Sequence, residues 1–238
     1  MAAPFRKKGV GLTSQIKSKQ RVADHGEVYT RPREVNAMLD MVKQETERID
    51  SRFLEPACGN GNFLAEVLHR KLAVVANTYR TSLHEYMRNA FVATASLYGV
   101  DILPDNVEEC RERLYGIVES EAKAAIKKHV DQGFLDAVRF VLQKNILCGD
   151  ALTLKDADDK PIRFAEWSIV TGDKVKRRDY LLSELLEGAN DQQSLFGDLF
   201  GERENAVEWE FDEEIQAFVP SAVAEYPLVN YWEVRTHG

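Results

Sequence analysis

Residues 53–64 read FLEPACGNGNFL, and this stretch decides the fold class. Two apolar residues lead into Glu55, a turn with two glycines follows, and apolar residues resume at Phe63 with helical spacing. This order predicts a short strand, a turn and a helix. Ligands bind at such turns in open α/β sheets, because free backbone N–H groups and helix N-termini converge at the carboxyl ends of the strands. The stretch therefore predicts an α/β domain with a ligand site between Glu55 and Gly61.

The flanking sequence continues the alternation of helices and strands. Apolar residues at three- and four-residue steps predict helices over 33–48, 63–72 and 105–130. Compact apolar runs predict further strands at 96–102, 140–152 and 164–173. Strands that alternate with helices indicate a mainly parallel sheet flanked by helices, with right-handed crossovers.

Length and composition narrow the class of protein. The 238 residues are 44% hydrophobic, which is enough for one full-sized core. No run of about 18 apolar residues occurs, and the N-terminal sequence lacks the apolar centre of a secretory signal, so we expect a cytoplasmic protein without a membrane span. Cys58, Cys110 and Cys148 are widely spaced and form no CxxC pair, so we expect neither a disulfide framework nor a metal site.

Charge is distributed unevenly along the chain. Residues 179–238 contain fourteen acidic and two basic residues, whereas the first 23 residues contain six basic residues and no acid. A second basic cluster consists of Lys174, Lys176, Arg177 and Arg178. Such clusters suit a polyanion such as DNA, although solvated basic runs are common. We expect a basic flexible arm over 1–25, an α/β domain over 26–186 and an acidic C-terminal segment over 187–238.

Acidic residues follow three successive predicted strands, namely Glu55, Asp101 and Asp150. The chain has no GxxxxGK[ST] phosphate loop, and Leu64 stands where the third glycine of a GxGxxG fingerprint belongs. An acid after the second strand can accept the hydroxyls of a ribose, and an acid after the third can face an adenine amino group. We therefore expect an adenosine-type ligand without phosphates, whose cationic end lies near Glu55. S-adenosylmethionine fits this description.

Four segments occur in an order that resembles a known family: HGEVYT (25–30), FLEPACGNGNFL (53–64), LYGVDI (97–102) and CGDAL (148–152). They resemble the motifs of N6-adenine-type SAM-dependent DNA methyltransferases of restriction–modification systems. The resemblance covers roughly residues 25–152. It implies a class I Rossmann-like SAM-dependent methyltransferase fold, S-adenosylmethionine as cofactor and DNA as substrate.

The resemblance also implies roles for individual residues. Tyr29 and Thr30 would border the methionine end of the cofactor, with the turn residues wrapping that end. Residues after the second strand would hold the ribose and adenine, and those after the third would meet the adenine edge. The implied cofactor-binding residues are Tyr29, Thr30, Glu55, Ala57, Gly59, Gly61, Asp101, Ile102, Asp150 and Ala151.

The sequence departs from the family at the catalytic motif. The family carries (N/D/S)PP(Y/F/W) after the fourth strand, where this chain reads WSIVTGDKVKRRDY (167–180). In this segment Asp173 could accept an amine proton, and Trp167 or Tyr180 could stack on a flipped base. A turn is the simpler interpretation of Thr171-Gly172-Asp173. No target-recognition domain is evident either, so a separate recognition subunit is expected.

Two other interpretations of the sequence stay open. The chain could be a catalytically deficient, SAM-binding subunit that assembles with a partner. It could also be a methyltransferase that acts on RNA, protein or a small molecule.

Overall fold

A computed structural model describes residues 17–25, 28–126, 130–190, 209–212 and 217–238, and the findings below concern these residues. The helices are α1 (Lys19–His25), α2 (Pro32–Met41), α3 (Lys43–Glu47), α4 (Asn62–Tyr79), α5 (Leu83–Ala95), α6 (Pro104–Ile126), α7 (Gln132–Asn145) and α8 (Leu182–Asn190). The strands are β1 (Phe53–Glu55), β2 (Leu97–Asp101), β3 (Ile146–Asp150), β4 (Lys155–Asp156), β5 (Arg163–Thr171), β6 (Lys174–Leu181), β7 (Trp209–Asp212), β8 (Ala217–Pro220), β9 (Ala224–Glu225) and β10 (Val229–Asn230). A 3₁₀ helix over Tyr231–His237 ends the chain.

Strands β1, β2 and β3 form the parallel part of a four-stranded sheet with the order β1-β2-β3-β4. Phe53 pairs with Leu97, and Asp101 pairs with Cys148, so the carboxyl ends of the three strands lie at one edge. Strand β4 pairs antiparallel with β3. The expected α/β architecture is present, but the sheet is partly antiparallel.

Helix α4 supplies much of the core beside this sheet. Its residues Leu64, Val67, Leu68 and Leu72 are at most 1% exposed, which agrees with the buried stripe predicted from their spacing. Each such side chain contributes about 1.5–3 kcal/mol of burial free energy. The helix packs against α5 and α6 and holds the turn that precedes it in a fixed position.

Strands β5 and β6 form an antiparallel hairpin in a second sheet, with β10 and β9 also pairing with β6. The prediction that the strand near 164–173 continues the parallel sheet is therefore wrong. A connection of only two residues joins β5 to β6, which permits a hairpin but no crossover. The hairpin packs on the rest of the protein through aromatic contacts, with Tyr98 and Phe164 ring centroids 5.2 Å apart.

The strand predicted over 140–152 is correct only for Ile146–Asp150, because residues 140–145 belong to α7 and a turn follows Asp150. The side chain of Asp131 caps this helix by accepting a hydrogen bond of 3.1 Å from the Phe134 N–H. Periodicity alone does not separate a buried helix end from a buried strand in an apolar run such as FVLQKNIL.

Residues 1–16 of the predicted arm, and residues 191–208 and 213–216 of the predicted acidic segment, lie outside the described residues. In the predicted flexible arm, residues 19–25 form α1, and Lys17 and Arg21 form ion pairs with Asp105 of α6. At the other end, a boundary at residue 187 would cut α8. The terminal 3₁₀ helix buries Tyr231 and Val234 in the main core, so this last part of the predicted acidic segment packs on the α/β domain.

A buried lysine ties the amino ends of β1 and β2 together. Lys71 of α4 is fully buried, and its Nζ donates hydrogen bonds to the carbonyls of Ile49 and Ser51 and to Ser96 Oγ. Burial lowers the pKa of Lys71 to about 7. The lysine fixes the edge of the sheet that lies opposite the carboxyl ends of the parallel strands.

Candidate ligand site at the carboxyl edge of the sheet

The glycine turn after β1 is held by backbone hydrogen bonds. The Cys58 N–H donates to the Val100 carbonyl at 2.9 Å, and the Gly61 N–H donates to the Cys58 carbonyl at 2.8 Å. Gly61 has φ 82°, and a Cβ at this position would lie 2.6 Å from Cys110 Sγ. Any larger residue would therefore be strained and would clash with α6. The turn is a compact cradle that forms only with glycine.

Asp101, at the end of β2, is tied to this turn. One carboxylate oxygen, Oδ2, accepts the Gly59 N–H at 2.8 Å, while Oδ1 accepts the Leu103 N–H at 3.0 Å and the Asn106 Nδ2 at 3.2 Å. A carboxylate has about four acceptor positions. Hydrogen bonds to the described residues thus fill Oδ1 and leave one position open on Oδ2.

Tyr29 covers the glycine turn from the N-terminal side. A Cβ on Gly59 would lie 3.2 Å from Tyr29 Cε1, so the tyrosine ring lies directly against the turn. The Tyr29 hydroxyl donates to Asn106 Oδ1 at 3.3 Å, and the Thr30 carbonyl accepts a hydrogen bond from Asn62 at 3.4 Å. The structure thus places Tyr29 and Thr30 beside the turn, and their contact with a cofactor stays a prediction.

Glu55 is the unusual group in this site. Its Oε2 is buried without a hydrogen-bond partner among the described residues. Burial, with a smaller contribution from the charge of Asp101, raises the pKa of Glu55 to about 8. A cationic ligand group would supply the missing partner and would favour the charged carboxylate.

The thiol beside Glu55 is not a nucleophile. A hydrogen bond to Cys110 and burial both raise the pKa of Cys58 well above its ordinary value. Because the thiolate is the reactive form, Cys58 stays inert at neutral pH. It contributes to the shape of the turn.

The third acid, Asp150, ends β3, which lies beside β2 in the parallel part of the sheet. Asp150 Oδ1 accepts the Leu152 N–H at 2.8 Å, and a cavity of about 250 Å³ is lined by Ile102, Cys148 and Asp150, among others. Ile102 is 58% exposed and Leu152 is 70% exposed. Ala151 is partly buried and packs against the smaller apolar cluster. Exposed aliphatic groups next to a carboxylate suit the faces and the amino edge of a planar base.

The candidate base Asp173 lies elsewhere. Gly172 lines a cavity together with Arg52 and Ser96, which precede β1 and β2, so the β5–β6 turn adjoins the amino edge of the parallel sheet. There Asp173 Oδ2 lies 2.9 Å from His84 Nε2. The structure does not bring Asp173 to the turn at Glu55.

The aromatic candidates for base stacking are also engaged in the core. Trp167 is 8% exposed and packs edge-on against Phe91 and Phe140. Tyr180 is 6% exposed. Neither ring presents a face on which a base could stack, so the expectation for these two residues is wrong.

The basic cluster near 174–178 divides between the two faces of β6. Lys174, Lys176 and Arg178 alternate with buried residues, and Lys176 and Arg178 both form ion pairs with Glu225. Arg177 is 3% exposed and makes a bidentate pair with Asp179 at 2.7 and 2.8 Å. Arg177 is therefore a core residue, and the prediction that it contacts nucleic acid is wrong.

Two residues at the site were missed by the sequence interpretation. Asn106 is 1% exposed and joins Asp101 to Tyr29. Arg113 of α6 donates hydrogen bonds to the side chains of Asn60 and Asn62, which flank Gly61. Both residues lie on α6, about one and three helical turns after Asp101. The sequence signal for Asn106 was a polar residue in the first turn of the helix that follows β2.

Comparisons with models of protein families, with curated proteins and with solved structures give no match to this chain. Within the described ranges, no group of three or more His, Cys, Asp or Glu residues is arranged to hold a metal ion. In the same part of the chain, no helix has the length and apolar character needed to cross a membrane.

Proposed function

We propose that this chain binds S-adenosylmethionine at the carboxyl edge of its parallel sheet, as the cofactor-binding part of an adenine-N6 DNA methyltransferase. The observation that carries the proposal is the convergence of the glycine cradle, the partnerless carboxyl oxygen of Glu55 and the anchored carboxylate of Asp101. The proposal includes a class I Rossmann-like methyltransferase fold for the parallel part of the protein and a cytoplasmic location.

The charges of the site support a cofactor without phosphates. Glu55, Asp101 and Asp150 end three neighbouring strands. The carboxylates of Asp101 and Asp150 would repel phosphate groups, and Glu55 would ionise when an ammonium or sulfonium group pairs with it. Glu55 would hold the cationic methionine end, Asp101 a ribose hydroxyl, and Asp150 with Ile102 the adenine. When bound, S-adenosylmethionine supplies an electrophilic methyl group on its sulfonium.

The acceptor half of the reaction would require a second chain. The described residues offer no proline-rich acceptor motif, Trp167 and Tyr180 are buried, and Asp173 lies at the opposite edge. We therefore propose that a partner subunit recognises DNA and presents the flipped base. The remaining surface lysines of β6 would add nonspecific phosphate contacts.

A methylation assay with labelled cofactor and mixed-sequence DNA tests the enzymatic proposal. It should be carried out with this chain alone and with proteins purified together with it. Incorporation only in the presence of a partner is the expected result. The absence of incorporation in both arms, together with demonstrated cofactor binding, would refute methyl transfer.

The second candidate function is a SAM-binding subunit without catalysis. The specific observation in its favour is that Asp173, Trp167 and Tyr180 are all remote from the site or buried. This function predicts cofactor binding without incorporation in every arm of the assay. Salt-dependent DNA binding by the complex, with a loss of affinity at higher salt, would indicate phosphate contacts in either case.

A further inference from the structure

Three polar side chains of the N-terminal segment 17–30 converge on one buried amide. Asn106 Oδ1 accepts hydrogen bonds from Lys17 Nζ at 2.9 Å, from Arg21 at 3.2 Å and from the Tyr29 hydroxyl at 3.3 Å. The other end of the same amide donates to Asp101. Two cations on the oxygen and a carboxylate on the nitrogen define the orientation of the amide.

This amide also determines which oxygen of Asp101 faces the ligand site. Asn106 Nδ2 and the Leu103 N–H both bind Oδ1, which leaves Oδ2 on the side of the Gly59 turn with one open acceptor position. Without Asn106, the carboxylate loses one of its three hydrogen bonds and gains freedom to rotate. Because Asn106 is 1% exposed, water does not readily replace it.

We propose that Asn106 is a positioning residue, which couples the N-terminal segment 17–30 to the ribose-binding carboxylate of Asp101. This inference rests on the proposed cofactor function. Lys17 and Arg21 polarise the amide and strengthen the hydrogen bond that it donates, since hydrogen bonds in a chain reinforce one another. Lys17, Arg21 and Tyr29 therefore contribute to ribose recognition, although the two cations pair with carboxylates of α6.

The test compares two nucleosides that differ only at the ribose hydroxyls. Adenosine and 2′,3′-dideoxyadenosine compete with labelled S-adenosylmethionine for the wild-type protein and for Asn106→Ala. We expect the wild type to prefer adenosine by about tenfold or more, as for a hydrogen bond to a charged group. Asn106→Ala should reduce this preference to about twofold or less. A merely structural role of Asn106 would instead weaken the binding of both nucleosides equally and leave the preference unchanged.

A second variant avoids the risk that the buried substitution prevents folding. Lys17→Ala combined with Arg21→Ala removes two partly exposed side chains and their ion pairs with Asp105, so it should lower the unfolding midpoint only modestly while it reduces the preference severalfold. Asn89→Ala on α5, whose amide donates to the Glu85 carbonyl, is the matched control and should keep the preference.

The outcomes separate the inference from the proposed function. If the wild type binds S-adenosylmethionine and the preference is the same in folded Asn106→Ala and in the double variant, the coupling is refuted while the function stands. If the wild type binds neither the cofactor nor adenosine, both proposals fail.

Discussion

Replacing Glu55 by glutamine should stabilise the protein at alkaline pH. The pKa of this buried carboxyl is raised from 4.5 to about 8, first by burial and then by Asp101. Below pH 4.5 the group is protonated in the folded and the unfolded states, so its contribution to stability is fully present. As the pH rises from 4.5 through 8, the unfolded state loses its proton first, and stability falls.

The size of this loss of stability follows from the two pKa values of Glu55, 4.5 in the unfolded state and about 8 in the folded state. Each pH unit between 4.5 and 8 lowers the free energy of unfolding by about 1.4 kcal/mol, which amounts to about 5 kcal/mol at pH 9. Glutamine has nearly the same shape and cannot ionise. We therefore expect Glu55→Gln to be more stable than wild type by up to about 5 kcal/mol at pH 9, with little difference at pH 4.

Urea denaturation at pH 4, 6.5 and 9 measures this difference directly. Glu47→Gln, which alters an exposed pair with Lys43, is the control and should change stability by no more than about 0.5 kcal/mol at any pH. A Glu55→Gln variant that is no more stable than wild type at pH 9 would show that Glu55 is not buried without a partner, and the reasoning on the site would fail.

Three further substitutions test other parts of the structure. Gly61→Ala should lower the free energy of unfolding by about 2–3 kcal/mol, because its φ is positive and its Cβ would meet a cysteine sulfur of α6; Gly116→Ala, in an open helical position, should be neutral or stabilising in the same denaturation experiment. Arg177→Ala should lower the free energy of unfolding by about 3–5 kcal/mol, because it leaves Asp179 buried without its partner. A variant as stable as wild type in circular dichroism melting would contradict this prediction. Asp173→Ala should leave the dissociation constant for S-adenosylmethionine unchanged within about twofold, as calorimetry would measure; a loss of tenfold or more would place this residue in the site.

The sequence predicted the positions of site residues best where an acidic residue ends a strand. The positions of Glu55 and Asp101 at the ends of neighbouring parallel strands were predictable, because a turn-forming or helix-starting sequence follows each of them. The buried apolar stripe on α4 was also predictable from local sequence, because its residues recur with helical spacing. These features depend on neighbours in sequence, which periodicity records.

The second sheet depended on contacts distant in sequence. The run of bases in KVKRRDY predicts a surface cluster, yet β6 alternates between faces, and Arg177 is buried with Asp179, which lies two residues away on the same face. Strand β5 pairs with β6 instead of the parallel sheet, and nothing in its own apolar pattern distinguishes the two partners. The role of Asn106 is not predictable from local sequence, because it depends on three separate segments that meet at α6.

Isothermal titration of the purified chain with S-adenosylmethionine tests the central claim most directly. We expect one site per chain and heat that depends on the ionisation enthalpy of the buffer near pH 7, because binding of a cation at Glu55 displaces the proton that its raised pKa retains. Glu55→Gln should bind with the same stoichiometry but without this buffer dependence. Absence of saturable binding to the wild-type chain would contradict the account.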